Sequence, residues 1–462
     1  MNLLEQIQAA GVVGCGGAGF PTHVKLAATG VDTFIVNGAE CEPLLRTDRW
    51  LMRHRASEIV SAVDAVRRHL GASRAVIALK ESYTEEIAAL RSAISSGRPP
   101  GGAPPAGGEG VELFLLKAFY PAGDEQVQVL EVTGRVVPPG GIPLDVNCVV
   151  SNAATMYAVW HALRDRPFTQ KYLTVTGAVA SPCVVRAPVG TSFAECLELA
   201  GGAENENCVV VSGGPMMGQP MAMRDALASH VTKTTSGFVV LPDRARLWEK
   251  HVTEPRFTIN RARTACVQCS FCTQLCPRWL LGHPLEPHKI MRRMGGEPDW
   301  HDHLDDPVLR GAQYCCECGV CELVACPMEL RPRAVNVMVK QAFAEQGLRP
   351  IKGTDEYHPR EFRDDRAIPT KKAAARAGAG PWYRTEPARY VEAAPREVCI
   401  ALNSHIGHPA LPVVNVGDHV DFGQLIAEPP ADKLGARYHA SIAGIVKEAG
   451  EYVAIRGTER SQ

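Results

Sequence analysis

The chain has 462 residues, a hydrophobic content of 45% and a formal net charge of −1, which predicts about three or four domains with ordinary buried cores. The near-zero charge gives no indication of a nucleic-acid or membrane-surface partner, and no apolar run reaches the roughly 18 residues that a membrane helix needs. Because the chain begins with a short amphipathic helix rather than a signal peptide, we expect a cytoplasmic protein whose thiols stay reduced.

Residues 1–165 alternate short apolar, β-branched runs with helical stretches. The predicted strands are Thr33–Val36, Arg74–Leu79, Val111–Leu116 and Cys148–Val150, and the predicted helices are Thr47–Leu70 and Ser82–Ile94. This alternation predicts a doubly wound α/β domain. The segment Ser96–Gly110 is rich in Gly and Pro and is predicted to be a surface loop.

A glycine-rich segment, GCGGAGFP from Gly14 to Pro21, precedes a short helical stretch. Dense glycine before a helix lets backbone N–H groups approach an anion, and Lys25 lies one turn further on, where it could pair with a phosphate. The alternative is an ordinary structural turn. No strand leads directly into the segment, so it is not a dinucleotide fingerprint.

Two carboxylates follow the first predicted strand, in the sequence NGAECEP that contains Glu40 and Glu42. The carboxyl ends of parallel strands are where α/β domains bind ligands. A ligand-binding edge is therefore one interpretation of this segment, and a solvated acidic turn is the other.

Residues 166–250 have short strands, turns and one helix, which predicts a small α+β module. Residues 251–345 are helix-rich and carry both runs of regularly spaced cysteines. Residues 346–395 are charged, Ala/Gly/Pro-rich and aperiodic, so we predict a linker. Residues 396–462 consist of short strands separated by Gly and Pro, which predicts an all-β module.

Two cysteine runs have the spacing by which thiolates hold [4Fe–4S] clusters. They comprise Cys266, Cys269, Cys272 and Cys276 in the first run, and Cys315, Cys318, Cys321 and Cys326 in the second. In two-cluster ferredoxins the last cysteine of each run ligates the other cluster. We therefore assign Cys326 to the cluster of the first run and Cys276 to that of the second.

Zinc and disulfides explain these runs less well. Zinc sites use pairs of C-x2-C knuckles, whereas each run here offers three cysteines at that spacing and a Cys-Pro. Disulfides need an oxidising compartment. Two details stay open: Cys316 adjoins Cys315 and competes with it as a ligand, although spacing favours Cys315, and the second run has one extra residue, so its last loop must bulge.

The glycine-rich segment and the NGAECEP segment together resemble the flavin-binding 51-kDa subunit of respiratory complex I and, more closely, the C subunit of the Rnf complex. Further motifs follow in the same order: YPAGDE at 120–125, TGRVVPPGG, SNAAT at 151–155, SGGPMMG at 212–218 and TKTT at 232–235. The resemblance covers nearly the whole chain. It implies that residues 1–165 bind FMN and accept hydride from NADH.

The same resemblance implies roles for individual residues. Those implied to contact FMN, with the first four on its phosphate side, are Gly14, Gly16, Gly17, Lys25, Asn37, Asn152 and Thr155. Glu40 and Glu42 are implied to lie near the flavin ring and the nicotinamide, with Asp124 and Glu125 opposite. Phe20 is implied to stack on the adenine. The complex I branch has Asp and Gly where this chain has Ala39 and Cys41.

The resemblance also extends to the smaller modules. Residues 166–250 resemble the β-grasp SLBB module of this family, and residues 396–462 resemble a lipoyl/biotinyl-type sandwich. Its candidate hairpin turn, Ser441-Ile442-Ala443, has no lysine to modify. The sandwich follows the clusters here. That order, with ELVACPMEL in the second run, is closer to the cobalamin reductases of propanediol-utilisation microcompartments than to the Rnf protein.

These features predict an oxidoreductase that passes electrons from NADH through FMN and two clusters to a corrinoid, from cob(III)alamin to cob(II)alamin and cob(I)alamin. An adenosyltransferase and microcompartment proteins are the implied partners. The alternatives are another acceptor, such as a flavodoxin, ferredoxin or quinone, and a docking scaffold of a larger complex. His405, His408, His419 and His439 are candidate cobalt ligands, although ordinary turn histidines are the favoured interpretation.

Overall fold

The computed structural model describes residues 1–96, 110–296, 300–387 and 389–458. The predicted surface loop Ser96–Gly110 lies outside these residues except for its two ends. Within the described ranges, no helix has the length and apolar character needed to cross a bilayer.

A four-stranded parallel sheet, with strand order β3-β2-β1-β5, forms the centre of the N-terminal domain. The elements in chain order are α1 (Leu3–Ala9), α2 (Thr22–Lys25), β1 (Thr33–Asn37), α3 (Thr47–His54), α4 (Ala56–Leu70), β2 (Arg74–Lys80), α5 (Thr84–Ser96), β3 (Val111–Leu116), β4 (Phe119–Tyr120), α6 (Glu125–Thr133), a 3-10 turn (Pro143–Val146), β5 (Cys148–Asn152) and α7 (Ala153–Ala162). The four predicted strands are confirmed to within two residues. The helix predicted over Thr47–Leu70 is two helices, because Arg55 adopts a non-helical φ of −132° between them.

Alternate residues of the strands face two separate cores. Phe34 and Ile77 pack with α3, α4, α5 and α7 on one face, whereas Ile35 and Val76 pack with α6 on the other. A parallel sheet covered by helices on both faces must be apolar on both, which explains the continuous apolar runs in the sequence. The mixed α/β architecture predicted for this region is confirmed.

A second, mixed sheet follows, with strand order β12-β7-β6-β10-β8-β9. Its elements in chain order are β6 (Gln170–Gly177), β7 (Cys183–Pro188), α8 (Phe193–Leu199), β8 (Cys208–Ser212), β9 (Gln219–Ala222), α9 (Met223–Leu227) and β10 (Gly237–Pro242). Phe193 of α8 and Phe238 of β10 stack at 4.7 Å in the core beneath the helices.

The cysteine-rich region is made of short helices. They are α10 (Arg246–Val252), α11 (Pro255–Ala265), α12 (Phe271–Gln274), α13 (Pro277–Leu280), α14 (Pro287–Gly296), a 3-10 turn (Trp300–His303), α15 (Pro307–Arg310), a second 3-10 turn (Gly311–Tyr314), a π-helical turn (Val320–Ala325) and α16 (Pro332–Glu345). The π-helical turn lies between Cys318 and Cys326 and takes up one residue more than an α-helical turn. The bulge predicted for the second run is therefore confirmed.

The segment 346–395, predicted to be a linker, contains regular structure. Its elements are a 3-10 turn (Asp364–Arg366), β11 (Ile368–Pro369), α17 (Thr370–Arg376), another 3-10 turn (Gly380–Trp382) and β12 (Arg389–Glu392). β11 pairs with β4, and β12 adds a parallel strand beside β7. Ala373, Ala374 and Ala377 are buried in a core shared with the cysteine-rich region. The expectation of an irregular linker is wrong here, because these small side chains permit close packing.

The C-terminal module consists of two facing sheets, with strand orders β13-β19-β18-β15 and β14-β16-β17. The strands are β13 (Glu397–Ala401), β14 (Leu411–Pro412), β15 (His419–Val420), β16 (Leu425–Glu428), β17 (Tyr438–His439), β18 (Gly444–Ala449) and β19 (Tyr452–Gly457). Ile400, Ile426 and Val446 fill the core between the sheets.

A buried lysine joins three of these modules. Lys233 Nζ donates to the carbonyl oxygens of Gly11 at 2.7 Å and Arg437 at 2.5 Å, and it lies 4.3 Å from the centre of the Tyr438 ring. Gly11 has a φ of +67°, and a Cβ there would lie 2.1 Å from the Arg437 oxygen. Burial lowers the pKa of Lys233 to about 7. The TKTT motif therefore has a structural role at this junction.

Lys233→Met should change the pH dependence of stability as well as stability itself. Above pH 7 the folded chain holds fewer protons on Lys233 than the unfolded chain, whose lysine titrates near 10.5. The free energy of unfolding of the wild type should therefore rise relative to Lys233→Met by up to about 1.4 kcal/mol per pH unit between these values. Urea unfolding at about pH 7.5 and about pH 9.5, with the exposed Lys447→Met as control, measures this difference; parallel curves for wild type and Lys233→Met would contradict it.

Candidate functional site

The glycine-rich segment packs against the start of α7. Gly14 N donates to the Phe20 carbonyl at 2.9 Å, and Cys15 N donates to Thr155 Oγ1 at 2.9 Å. Gly17 has a φ of +126°, in the region that favours glycine, and a Cβ there would meet no atom within 4 Å. The loop therefore leaves open space beside Gly17, which fits the approach of a phosphate-bearing ligand to the backbone.

Asn152 connects this loop to α3. Its Oδ1 accepts from the backbone N–H groups of Ala154 at 2.9 Å and Thr155 at 3.3 Å, which caps α7. Its Nδ2 donates to Asp48 Oδ2 at 2.7 Å. A Cβ at Gly16 would lie 3.5 Å from Asn152 Cβ. The structure thus brings together the glycines, Asn152 and Thr155.

Asn37, at the end of β1, lies in a second polar group. Its Nδ2 donates to the Gly123 carbonyl at 2.8 Å, and its Oδ1 accepts from Gln128 Nε2 at 2.9 Å. Gln128 is fully buried, and its Oε1 has no hydrogen-bond partner within the described ranges. A buried acceptor without a donor fits a ligand that carries N–H or O–H groups, as FMN does. Sequence reasoning missed Gln128, although a glutamine inside the apolar stretch VQVL was a signal.

Lys25 and Glu125 form an ion pair. Lys25 Nζ lies 3.0 Å from Glu125 Oε1 and 2.9 Å from the Val150 carbonyl oxygen, and both side chains are partly exposed. The pair joins α2 to α6 near the middle of β5. Phe20 is half-buried at the end of the glycine-rich segment.

Glu40 caps the start of α3. Its Oε1 accepts from Asp48 N at 2.9 Å and its Oε2 from Arg49 N at 3.2 Å. Burial, with a smaller effect of the neighbouring Asp48 carboxylate, raises the pKa of Glu40 to about 7. This carboxyl group binds the same helix that carries Asp48, the partner of Asn152.

Glu42 binds the turn of the SGGPMMG motif. Its oxygens accept from Met216 N and Met217 N, both at 2.9 Å, and burial raises its pKa to about 7. A Cβ at Gly214 would lie 2.2 Å from Glu42 Oε2, so only glycine leaves room for this carboxylate. The carboxylates of Glu40 and Glu42 therefore bind different segments of the backbone.

The YPAGDE segment contacts the cysteine-rich region. Tyr120 donates through its hydroxyl to the Cys318 carbonyl at 2.8 Å. Asp124 caps α6 and forms a two-pronged ion pair with Arg278, at 2.6 and 2.9 Å, with both side chains nearly buried. Arg278 lies two residues after Cys276. Sequence reasoning placed Asp124 at the flavin and missed Arg278 and Tyr120, because a partner distant in sequence leaves no local signal.

The cysteines line two small cavities, each with donors suited to a [4Fe–4S] cluster. The first is lined by Cys266, Cys269, Cys272 and Cys326, and the second by Cys276, Cys315, Cys316, Cys318 and Cys321. The last cysteine of each run thus lies with the other run. Within the described residues, no three potential ligands converge on a single metal ion; the thiols instead surround a space, as a cluster of several atoms requires.

Cys315 and Cys316 both line the second cavity. Cys315 Sγ accepts from Glu317 N at 3.4 Å, whereas Cys316 hydrogen-bonds the Cys318 side chain. In the first cavity, Gln268 Nε2 donates to Cys266 Sγ at 3.2 Å and Leu330 N to Cys326 Sγ at 3.3 Å. Donors of this kind stabilise thiolates and tune cluster potentials.

The two cavities differ in exposure. Cys276, Cys318 and Cys321 are buried, and the second cavity lies against the N-terminal domain. Next to the first cavity, Val267 is 60% and Phe271 49% exposed. The first cavity is therefore the one nearer to solvent.

The candidate histidines lie in the C-terminal sandwich. His405 bonds the Tyr438 hydroxyl through Nδ1 at 2.8 Å and the His408 carbonyl through Nε2 at 3.0 Å. His439 is buried, which lowers its pKa to about 3. His408 and His419 are exposed.

Comparison with known proteins gives four consecutive family matches. They are the Nuo51 FMN-binding domain at residues 7–161, the SLBB domain at 172–220, the 4Fe-4S dicluster domain at 265–331 and the RnfC barrel sandwich hybrid domain at 386–462. These matches confirm the kinds of domain that were expected: an FMN-binding domain, an SLBB module, a two-cluster domain and a barrel sandwich.

Full-length relatives are also known. The cobalamin reductase PduS of Salmonella typhimurium is 41% identical over 454 residues, which cover 97% of this chain and 95% of that protein. PduS of Citrobacter freundii is 40% identical over 99% of this chain and 97% of its own length. A protein of the proton-translocating ferredoxin:NAD(+) oxidoreductase complex of Clostridium ljungdahlii, its C component, is 32% identical over 60% of this chain and 56% of its own length.

Proposed function

Because the chain belongs to the PduS family of cobalamin reductases, we propose that it passes electrons from NADH through FMN and two [4Fe–4S] clusters to the cobalt of a corrinoid. The observation that carries this proposal is the direct contact between the flavin-type domain and the second cysteine cavity through Tyr120 and Arg278. The corrinoid is taken from cob(III)alamin to cob(II)alamin and cob(I)alamin.

When bound, FMN would accept the two electrons of a hydride together and release them one at a time. The clusters would then carry single electrons. The residues of the chain bind and orient these groups. One side of the flavin site is formed by the glycine-rich loop and the start of α7, with Gly14, Gly16, Gly17, Asn152 and Thr155. The other side is formed by Asn37 and Gln128. The Lys25–Glu125 pair lies beside it.

Glu40 and Glu42 remain the proposed residues near the nicotinamide, with different tasks. Glu40 holds the start of α3 through the Asp48 N–H. It thereby positions the Asp48 carboxylate, which accepts from Asn152. Glu42 is a positioning residue, because its carboxylate holds the Met216–Met217 turn. Asp124 is likewise a positioning residue that fixes the cysteine-rich region, and Phe20 stays the proposed adenine contact.

The proposed order of electron transfer rests on how exposed the two cysteine cavities are. The second cluster site is buried beside the flavin-type domain, and the first is nearer to solvent behind the apolar side chains of Val267 and Phe271. We therefore propose that electrons leave the flavin to the second site, pass to the first and reach the corrinoid at this exposed rim.

This route is tested by comparing two acceptors. Cys318→Ser and Cys269→Ser should each lower NADH-dependent reduction of cob(III)alamin by about tenfold or more, which is about 1.4 kcal/mol in barrier. A small dye that takes electrons at the flavin should be reduced at close to the normal rate. Cys208→Ser, at a buried cysteine of the second sheet, is the control. Equal loss of both activities, or normal corrinoid reduction without clusters, would refute the route.

Gly17→Val should remove most bound FMN. The side chain would occupy the open space beside the loop and would strain a backbone with a φ of +126°. Gly202→Val, at a φ of +81° in open space in another module, imposes similar strain without touching the loop. Flavin absorbance per chain after gel filtration measures the difference, and normal flavin content in Gly17→Val would place the flavin elsewhere.

An adenosyltransferase that consumes cob(I)alamin and the proteins of a diol-utilisation microcompartment fit the family, so we propose location in such a compartment. The match to a protein of a ferredoxin:NAD(+) oxidoreductase complex over 60% of the chain favours one alternative, in which the acceptor is a flavodoxin, a ferredoxin or a quinone. A purely docking role in a larger complex is the remaining alternative.

A further inference from the structure

A cleft of about 750 Å³ opens where three modules meet. Its walls include Tyr157 and Trp160 of α7, Lys171 of β6 and Phe422 of the C-terminal sandwich. This volume is within the range of small-molecule sites, roughly 300–1,000 Å³. The cleft also touches Cys15 and Ala154, but none of the residues proposed for the flavin lines it.

Cationic side chains outnumber carboxylates in this cleft. It is lined by Arg55, Arg166, Lys171 and Arg186 against Glu58 and Asp165. Lys171 is only 3% exposed, and its charge acts on the nearby Asp48 carboxylate. Two of the arginines have carboxylate partners: Arg55 Nη1 lies 3.5 Å from Glu58 Oε1, and Arg186 Nη1 lies 3.1 Å from Glu392 Oε1. The walls of the cleft therefore carry more positive than negative side chains, which favours an anionic ligand.

Lys171 can be located by its effect on a neighbour. Burial raises the pKa of Asp48, while the Asn152 hydrogen bond and the nearby Lys171 charge lower it. Asn152, which donates to Asp48, also accepts from the N–H of Ala154, and Ala154 lines the cleft. The ammonium group therefore lies towards the end of the cleft that adjoins the glycine-rich segment.

Aromatic rings form the rest of the wall. Tyr157 and Trp160 are nearly parallel, with ring centres 6.3 Å apart, and Tyr172 meets Tyr157 edge-on at 5.7 Å. Phe422 is 58% exposed at the mouth, on a turn whose Gly423 packs against Pro167. An exposed phenylalanine held by a fixed turn offers a face for a planar group.

We infer that this cleft binds a nucleotide, in which an aromatic base is joined through ribose to phosphate. The cations receive the phosphate and the rings receive the base. Two sources have this chemistry. One is the pyridine dinucleotide that supplies electrons, whose binding here would replace the adenine contact proposed at Phe20, and the other is the benzimidazole nucleotide carried by the corrinoid. The inference rests on the proposed function for the choice of these two.

The test measures binding to the flavin- and cluster-loaded protein by isothermal titration calorimetry. The probes are ADP-ribose, aquacobalamin and cobinamide, the last being a corrinoid without a nucleotide. Lys171→Met should weaken binding of ADP-ribose or of aquacobalamin by about tenfold or more. Phe422→Ala should weaken the same probe, and the exposed Lys447→Met should not.

The probe that loses affinity identifies which nucleotide the cleft binds. A loss confined to ADP-ribose assigns the cleft to the pyridine nucleotide, and a loss for aquacobalamin but not cobinamide assigns it to the corrinoid nucleotide. The inference is overturned if no probe binds, if neither variant changes any affinity by more than about twofold, or if Lys171→Met loses FMN, which would make the cleft part of the flavin site. NADH-dependent corrinoid reduction is measured in parallel; its absence contradicts the proposed function and leaves the binding result standing.

Discussion

Cys276→Ala is expected to destroy the cluster held by the second cysteine run and to spare that of the first run. The reason is the exchange of last ligands: Cys276 belongs to the first run in sequence but lines the second cavity with Cys315, Cys318 and Cys321. A cubane that loses one of four thiolates is exposed to loss of iron. Iron and sulfide analysis after anaerobic reconstitution should show about half of the normal content.

Spectroscopy identifies which cluster remains. EPR of the reduced Cys276→Ala protein should show one signal, which a second substitution at Cys269 then removes. Cys399→Ala, at a free cysteine of the C-terminal sandwich, is the matched control and should keep both clusters. If the remaining signal instead depended on Cys318, the exchanged assignment would be wrong.

Arg278→Met is expected to destabilise the whole chain by about 3–5 kcal/mol, because it leaves the Asp124 carboxylate buried without its partner. The pair is two-pronged and nearly enclosed, with side-chain exposures of 10% and 12%. It also holds the second cysteine cavity against the flavin-type domain. Urea unfolding gives the stability change, and stopped-flow absorbance gives the rate at which NADH-reduced flavin passes electrons to the clusters, which should fall as well.

A double-mutant cycle separates the pair from its surroundings. Asp124→Asn together with Arg278→Met should cost less than the sum of the two single changes, because no unpaired charge remains. Arg456→Met breaks an exposed pair with Glu397, with side-chain exposures of 62% and 47%, and should cost less than about 1 kcal/mol. Additive costs in the cycle would show that Asp124 and Arg278 do not depend on each other.

The parts of the molecule that follow from local patterns were predictable. The strands of the parallel sheet are continuous β-branched runs, because they are buried on both faces. The cysteine spacing predicted two ligand sets, and the extra residue of the second run predicted the bulge that appears as the π-helical turn at Val320–Ala325. Each of these signals lies within a few residues of sequence.

Features that depend on distant partners were not predictable in the same way. Glu42 and Asp124 stand in motifs associated with a nucleotide cleft, yet their carboxylates bind the Met216–Met217 turn and Arg278. The alanine-rich stretch before β12 has the composition of an irregular linker, but Ala373 and Ala377 are buried. Composition shows which side chains are small or charged. It does not show which distant part of the chain packs against them.

The strand β12 has a consequence for how the protein is made. It pairs Arg389 with Cys183 and Glu392 with Arg186. During synthesis, the β7 edge of the second sheet therefore stays unpaired until a segment about 200 residues further along the chain has been made. At ribosomal speeds of about 5–20 residues per second, that edge stays open for roughly 10–40 s during translation. An open strand edge can pair with another nascent chain. Slower translation of the residues between β7 and β12 should therefore favour aggregation. A chaperone that binds the β7 edge should reduce this aggregation.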